Sequence, residues 1–302
     1  MSTKYLSHPK EALKAACAKG YFNFLSDRTY LKLIYWLRMG KALNLKNPQT
    51  FNEKLQWLKL YDRRPEYTTM VDKYQAKKYV ADRIGEEYII PTFGVWDKFE
   101  DIDFGSLPNE FVLKSTHDSG GVVIVRDKSK MDIEAARKKI NASLNKNYFW
   151  GGREWPYKNI KPRIICEKLI QTKDGRLPVD YKFHCFSGEP DNVMVCLERD
   201  SEKPKFFFFE KKWNLLRYNI AGVNAPYNFI VPKPKMLDEM FRLASILSAG
   251  LPFIRVDLYS EEGKVYFGEL TFFPQSGFDS NLLPTTNRLF GDKITTIPMN
   301  KE

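Results

Sequence analysis

Over residues 1–48 the apolar positions recur at helical spacing, with Leu31, Ile34, Tyr35 and Leu37 set between Arg28, Lys32, Arg38 and Lys41. Thr50-Phe-Asn-Glu53 then has capping-box spacing, in which the Thr50 hydroxyl and the Glu53 carboxylate each serve a backbone amide left free at a helix start. The helix it opens carries Leu55, Trp57, Leu58 and Leu60 and stops before Pro65. A further helix is expected over about residues 72–84, closed by Gly85. Residues 89–91 begin an extended connection, and 96–108 read as loop with brief elements.

From Glu110 the period shortens to that of strands. Residues 111–114 and 121–125 bracket a polar loop, and a helix over 132–144 follows with Asp132 as its cap. Residues 147–162, with Tyr148, Trp150 and Trp155, form a long aromatic loop of the kind that is usually functional in a compact domain. Strands are expected near 164–170, 179–186, 192–197 and 206–209, and a helix near 235–249. The last pair, 253–259 and 265–271, is joined by a turn over 260–264. With an odd turn centred near Gly263, Asp257 and Glu269 oppose each other on the face that carries Arg255. Two like charges so placed destabilise a sheet unless something positive joins them. Arg255 alone serves in one reading; a divalent cation held by oxygen ligands serves in the other.

At 43% hydrophobic and 15% aromatic over 302 residues, the chain has material for two or three packed subdomains and is not disordered. The net charge of +11 favours anionic partners such as phosphates or acidic sugars. Its basic residues are diffuse and no nucleic-acid recognition motif occurs, so no nucleic-acid partner is expected. The basic amphipathic start is read either as packed on its own protein or as a peripheral contact with anionic membrane. Cys17, Cys166, Cys185 and Cys196 lack CxxC spacing, and no long apolar segment is present, so a cytoplasmic setting is expected.

Several residues carry candidate chemistry. Lys114 ends a strand and is followed by Ser-Thr-His-Asp-Ser-Gly-Gly121, a loop whose paired glycines let backbone approach an anion; the competing reading is an ordinary hairpin with a solvated lysine. No GxxxxGK[ST] occurs. Glu167-Lys168 sits in an otherwise apolar strand, and Asp180, Lys182 and His184 share one strand face, as either a solvated edge or a polar floor beneath a ligand. His8, His117 and His184 lack zinc-ligand spacing.

Taken in order, Lys114 with its glycine loop, Glu167-Lys-Leu-Ile, Asp180-x-Lys182, Arg255-x-Asp257 and Glu269 before Pro274 resemble the ATP-grasp superfamily. FNEKLQWLKLYDRRP, VDKYQAKKYV, FVLKSTHDSGG, DYKFHCFSGEP and IRVDLY…FGELTFFPQSG are similar to the TupA-like ATP-grasp proteins of bacterial polysaccharide and teichuronopeptide gene sets, over about residues 48–290. The resemblance implies an α+β fold of two subdomains, 109–170 and 171–302, whose mainly antiparallel sheets clasp a nucleotide, plus a helical N-terminal region over 1–108. It implies ATP held by Lys114, by the loop with Ser115, His117, Ser119, Gly120 and Gly121, by a hinge of Glu167, Lys168 and Leu169, and by Asp180. Asp257 and Glu269 would hold Mg²⁺, with Arg255 and Lys182 catalytic; Lys73, Lys77 and Lys78 are candidates for a further phosphate contact. Thr271 stands where many such enzymes have asparagine, which puts one metal ligand in doubt.

The activity so implied is a carboxylate–amine ligase working through an acyl phosphate, joining an amine or amino acid to the carboxyl of an acidic sugar. The alternatives are a sugar kinase, and a glycosyltransferase in which Trp150, Trp155 and Tyr157 stack on sugar rings and Asp257 holds a nucleotide-sugar metal.

Overall fold

The alternating segments pair into two antiparallel sheets in the computed structural model, which describes residues 9–197 and 204–295. The smaller contains β1 (Thr92–Trp96), β2 (Phe111–Ser115), β3 (Val122–Val125) and β4 (Ile164–Glu167), in the order β1-β4-β2-β3. β1 lies inside the stretch read from sequence as helical. Phe111, Leu113, Ile164 and Cys166 pack against Ala136 and Ile140 of α6 (Ile133–Leu144), which starts where Asp132 accepts a bond from the Ala135 amide at 2.9 Å. β4 ends earlier than its apolar run, because the Lys168 amide leaves the ladder to donate to the Pro91 carbonyl at 2.9 Å.

The larger sheet has β5 (Asp180–Phe186), β6 (Glu189–Leu197), β7 (Lys205–Phe209), β8 (Leu215–Leu216), β9 (Phe253–Glu261) and β10 (Lys264–Thr271), in the order β10-β9-β5-β6-β7-β8. One face, with Phe183, Cys185, Ile254, Val256 and Leu258, packs on α9 (Leu237–Ser248) through Met240, Phe241 and Ala244. The other face carries Asp180, Lys182 and His184 beside Asp257 and Arg255. At the far end of that face Phe186 and Phe253 meet Phe51 of α3 (Phe51–Tyr61) and Phe290 of α10 (Pro284–Asp292). A single face therefore passes from ionic to aromatic within a few residues.

The capping box forms: the Thr50 amide donates to the Glu53 carboxylate at 3.0 Å, and the Thr50 hydroxyl takes the Glu53 amide. The helix expected over 72–84 forms as α5 (Gln75–Ile84), capped by Asp72 with bonds from the Tyr74 and Gln75 amides, and a short α4 (Glu66–Val71) precedes it. α1 (Pro9–Ala18) and α2 (Asp27–Met39) precede them, and the stripe Leu31, Ile34, Tyr35 and Leu37 is buried against the protein itself. Among the described residues no helix is long and apolar enough to cross a membrane. His8 lies outside the described residues.

Candidate active site

The geometry of the β9–β10 hairpin differs from the expected odd turn. The turn is two residues, Glu262 and Gly263, with φ of 51° and 75°, as the twist of a tight hairpin demands. It sets Phe267 opposite Leu258. Continued without interruption, that ladder would put Gly268 opposite Asp257 and send Glu269 to the apolar face. Instead the register shifts between Phe267 and Glu269, and Glu269 pairs with Asp257. Gly268 is thus the extra residue of a β-bulge, a device that re-aims side chains. A Cβ there would lie 3.0 Å from the Asp257 carbonyl oxygen and 3.1 Å from the Tyr259 ring. The sequence signal was available: the buried positions Val265 and Phe267 are followed by Leu270, a change of phase.

Three strands then align Lys182, Asp257 and Glu269 in one rung and His184, Arg255 and Thr271 in the next. Arg255 grips Asp257 with two bonds of 2.6 Å and reaches Glu269 at 3.3 Å and Thr271 at 3.1 Å. Lys182 bonds Asp257 and Asp180, each at 2.6 Å. Burial would raise the Asp257 pKa, but Arg255 and Lys182 hold it below the usual carboxylate range. Burial drives the His184 pKa down to about 3, with Arg255 adding to the effect, so the imidazole is neutral among Phe208, Phe253 and Phe290. Glu269 keeps 42% of its side chain exposed. It is the least committed of these carboxylates.

Across a cavity of about 150 Å³, the small sheet and α5 present the opposite balance. Glu167 is buried and paired with Lys114 at 2.6 Å and Lys77 at 2.5 Å. Its pKa, which burial would raise, is pulled below normal by these two lysines. Lys73 donates to the Asp118 carbonyl, and burial lowers its pKa. Lys73, Lys77, Lys114, Ser119 and Glu167 share the cavity wall with Phe267, Gly268 and Glu269. Of the three candidate upstream lysines, Lys78 is excluded from this wall; it is exposed and paired with Asp82.

The glycine loop is organised from within. The Asp118 carboxylate accepts from the Gly120 and Gly121 amides at 3.3 and 3.2 Å and from the Ser115 and Ser143 hydroxyls. A Cβ at Gly121 would collide with Ser115 and Ser143, which accounts for glycine there. Ser115 is therefore a bracing residue in this conformation. His117 is buried, with Nε2 2.9 Å from the Lys146 carbonyl, away from the cavity wall. Lys168 has its amide engaged by Pro91, and Leu169 is buried.

One group near the site, Tyr157, was read in the sequence only as a sugar-stacking ring, and another, Lys59, escaped notice. Tyr157, partly buried against the main core, has its pKa raised well above normal by desolvation and by the nearby charges of Glu154 and Glu269, and it also feels Arg255. The aromatic loop therefore closes on the carboxylate cluster. Lys59 of α3 is wholly buried. Lys59 had no sequence signal, because its burial depends on the distant segments of Gly152 and Ser276 folding over it.

With the geometry in place, likeness to known proteins can be added. The sequence profile of the TupA-like ATP-grasp family matches residues 53–295. Among solved structures, the D-alanine–D-alanine ligase from Bacillus anthracis complexed with ATP is 17% identical at a TM-score of 0.43, covering 75% of this chain and 63% of that one. The chain thus spans a little under two thirds of that ligase's length. The D-alanine–D-alanine ligase from Helicobacter pylori is 16% identical at a TM-score of 0.43, covering 83% and 70%. The ATP-grasp ligase PsnB complexed with minimal precursor, Mg and ADP is 13% identical at a TM-score of 0.39, covering 85% and 65%. No curated protein matches. Because the family profile covers most of the chain, the protein belongs to the TupA-like ATP-grasp family and has its α+β fold.

Proposed function

We propose that this TupA-like ATP-grasp protein is an ATP-dependent carboxylate–amine ligase, with its nucleotide phosphates between the two sheets. One observation carries the reading: a lysine-rich wall (Lys73, Lys77, Lys114) faces Glu269 across the same cavity, with Asp257 buried directly behind it as its strand partner. Lys114 and Lys73 bind phosphate oxygens as compact charges. Ser119 is the loop residue that lines the cavity. Glu167 holds Lys77 and Lys114 in place and keeps both charged in a buried wall. Asp180 orients Lys182 from the neighbouring rung, and Lys168 and Leu169 shape the hinge beside β1.

The residues fit a Mg²⁺ that is shared with the phosphates. Asp257 and Glu269 oppose each other, and such ions are commonly held by one or two carboxylates, with phosphate and water completing the shell. When bound, the ion would offset charge on the transferred phosphoryl group. Arg255 touches Asp257, Glu269 and Thr271, and stands where a carboxylate attacking the γ-phosphate would gain a bidentate cation. The acid is read as a uronic-acid carboxyl of a cell-surface saccharide and the acceptor as an amine or amino acid. A cytoplasmic site completes that reading.

The test uses Mg-ATP, D-glucuronate and hydroxylamine, which traps an acyl phosphate as a hydroxamate. Wild-type protein should form hydroxamate and ADP, and Asp257→Asn should lose both by about a thousandfold, the scale on which a phosphoryl-transfer charge is worth. ADP formed with phosphate fixed on a sugar hydroxyl, and no hydroxamate, would make the protein a kinase and sink the ligase reading.

A further inference from the structure

Beyond β10 the chain makes a turn over Pro274–Gly277 in which Gln275, Ser276 and Gly277 have φ of 50°, 54° and 66°. Two successive non-glycine residues in that region are strained, and strain persists where surroundings enforce it. Lys59 does so here. Its ammonium donates to the Ser276 and Gly152 carbonyls, both at 2.7 Å, while the Gln56 amide holds the Gly277 carbonyl at 2.7 Å. The turn partitions two cavities. Gln275 lines one of about 270 Å³ together with Arg255 and His184. Ser276 lines another of about 550 Å³ together with Glu154, Tyr148 and Arg38.

The second cavity has an amphoteric lining. Glu154 is only 4% exposed. Its support comes from the charge of Lys59, the Ser276 hydroxyl and, less, the charge of Arg38, while the Lys59 ammonium itself bonds to carbonyls and to Gln56. The carboxylate is thus buried without an ion-pair partner of its own among the described residues, a costly arrangement that an incoming ammonium would relieve. Burial pushes its pKa up, partly offset by Lys59. Around the opening stand exposed cations, Lys19, Arg38 and Lys146. Glu154 also feels the charge of Glu269, so the two carboxylates lie within electrostatic reach of each other. Part of the cavity wall, Cys17 and Arg38 of α1 and α2 and Asn23 of the turn between them, precedes the segment matched by the family profile.

Resting on the ligase reading, we propose that this cavity binds the amine substrate as a zwitterionic amino acid, with Glu154 receiving its ammonium and Arg38 its carboxylate. The acid then occupies the Arg255 side of the turn.

The test melts the full-length protein, with Mg-ADP present, in millimolar amounts of each standard amino acid, ethanolamine or D-glucuronate. At least one amino acid should stabilise wild type, and Glu154→Gln should weaken that binding about tenfold or more, as loss of a charge-assisted hydrogen bond does. Arg38→Ala should weaken the amino acid but not ethanolamine. The Mg-ATP shift, read in parallel, reports on the nucleotide site separately: if it is absent from wild type, the ligase reading falls, whereas if it is present and only the amino-acid result fails, this assignment alone falls. Overturning outcomes are no amino-acid shift in wild type, an equal shift in Glu154→Gln, or a D-glucuronate shift that depends on Arg38 and Glu154.

Discussion

The two walls of the cleft are built from the same kinds of residue in opposite proportion. On the small-sheet side three lysines, Lys73, Lys77 and Lys114, surround one carboxylate, Glu167. On the large-sheet side three carboxylates, Asp180, Asp257 and Glu269, surround two cations, Arg255 and Lys182. Each wall is left with charge that its own residues do not cancel, positive on one and negative on the other. Buried charge without a full complement is costly, so the imbalance points outward, to a ligand that is itself anionic on one side and cationic on the other. A metal-bound polyphosphate has that polarity.

The sharpest way to break this picture is Glu167→Gln, which leaves Lys77 and Lys114 facing each other. Removing one partner of a buried pair costs roughly 3–5 kcal/mol, and Mg-ATP, by supplying anions, should restore much of that loss. Chemical denaturation with and without Mg-ATP measures it; a loss that Mg-ATP leaves untouched would show that Glu167 serves only the fold. The same residue sets an acid limit. Its folded pKa lies below its ordinary 4.5, and that of Asp257 lies below 3.8. Their contribution is present above those ordinary values and is lost as pH falls through the lower, folded ones. Melting temperature should therefore drop steeply below about pH 4, and less steeply in Glu167→Gln.

A smaller effect is expected at Gly268. Alanine there meets backbone at 3.0 Å, and since the bulge aims Glu269 without supplying a ligand, Gly268→Ala should weaken Mg-dependent ATP binding about tenfold at a cost of roughly 1–3 kcal/mol in stability. Binding titrations across Mg²⁺ concentrations would show it as a shifted metal dependence with an unchanged metal-free baseline. The smallest effect belongs to Lys78→Ala. That lysine is exposed beside Asp82, and the variant should match wild type in its Mg-ATP melting shift; a weakened shift would extend the positive wall beyond the cavity.

Much of this molecule was legible before it was folded. The capping box at Thr50 and Glu53, the helical stripe of Leu31, Ile34, Tyr35 and Leu37, and the Asp132 cap all rest on contacts within one or two helical turns. The common face of Asp180, Lys182 and His184 follows from strand alternation alone. Such features are local, and local spacing determines them. The collinear order of Lys114, Glu167, Asp257 and Glu269 likewise identified the family, because order along the chain survives folding.

Tertiary structure decided what depends on approach between distant segments. It chose Lys73 and Lys77 over Lys78, since a helix shows every face in sequence but offers only one to a partner. It turned His117 and Ser115 inward, because Asp118, rather than an outside anion, satisfies the loop amides. It placed Glu154 of the aromatic loop against Lys59 and Ser276, a grouping spread over more than two hundred residues of chain. At the hairpin the two levels met. The presence of Asp257 and Glu269 was written in the chain, but the odd turn expected to align them is absent, and one extra residue at Gly268 does the aligning. A one-residue slip exchanges the faces of a strand, so the site depends on a register that only the packed sheet could set.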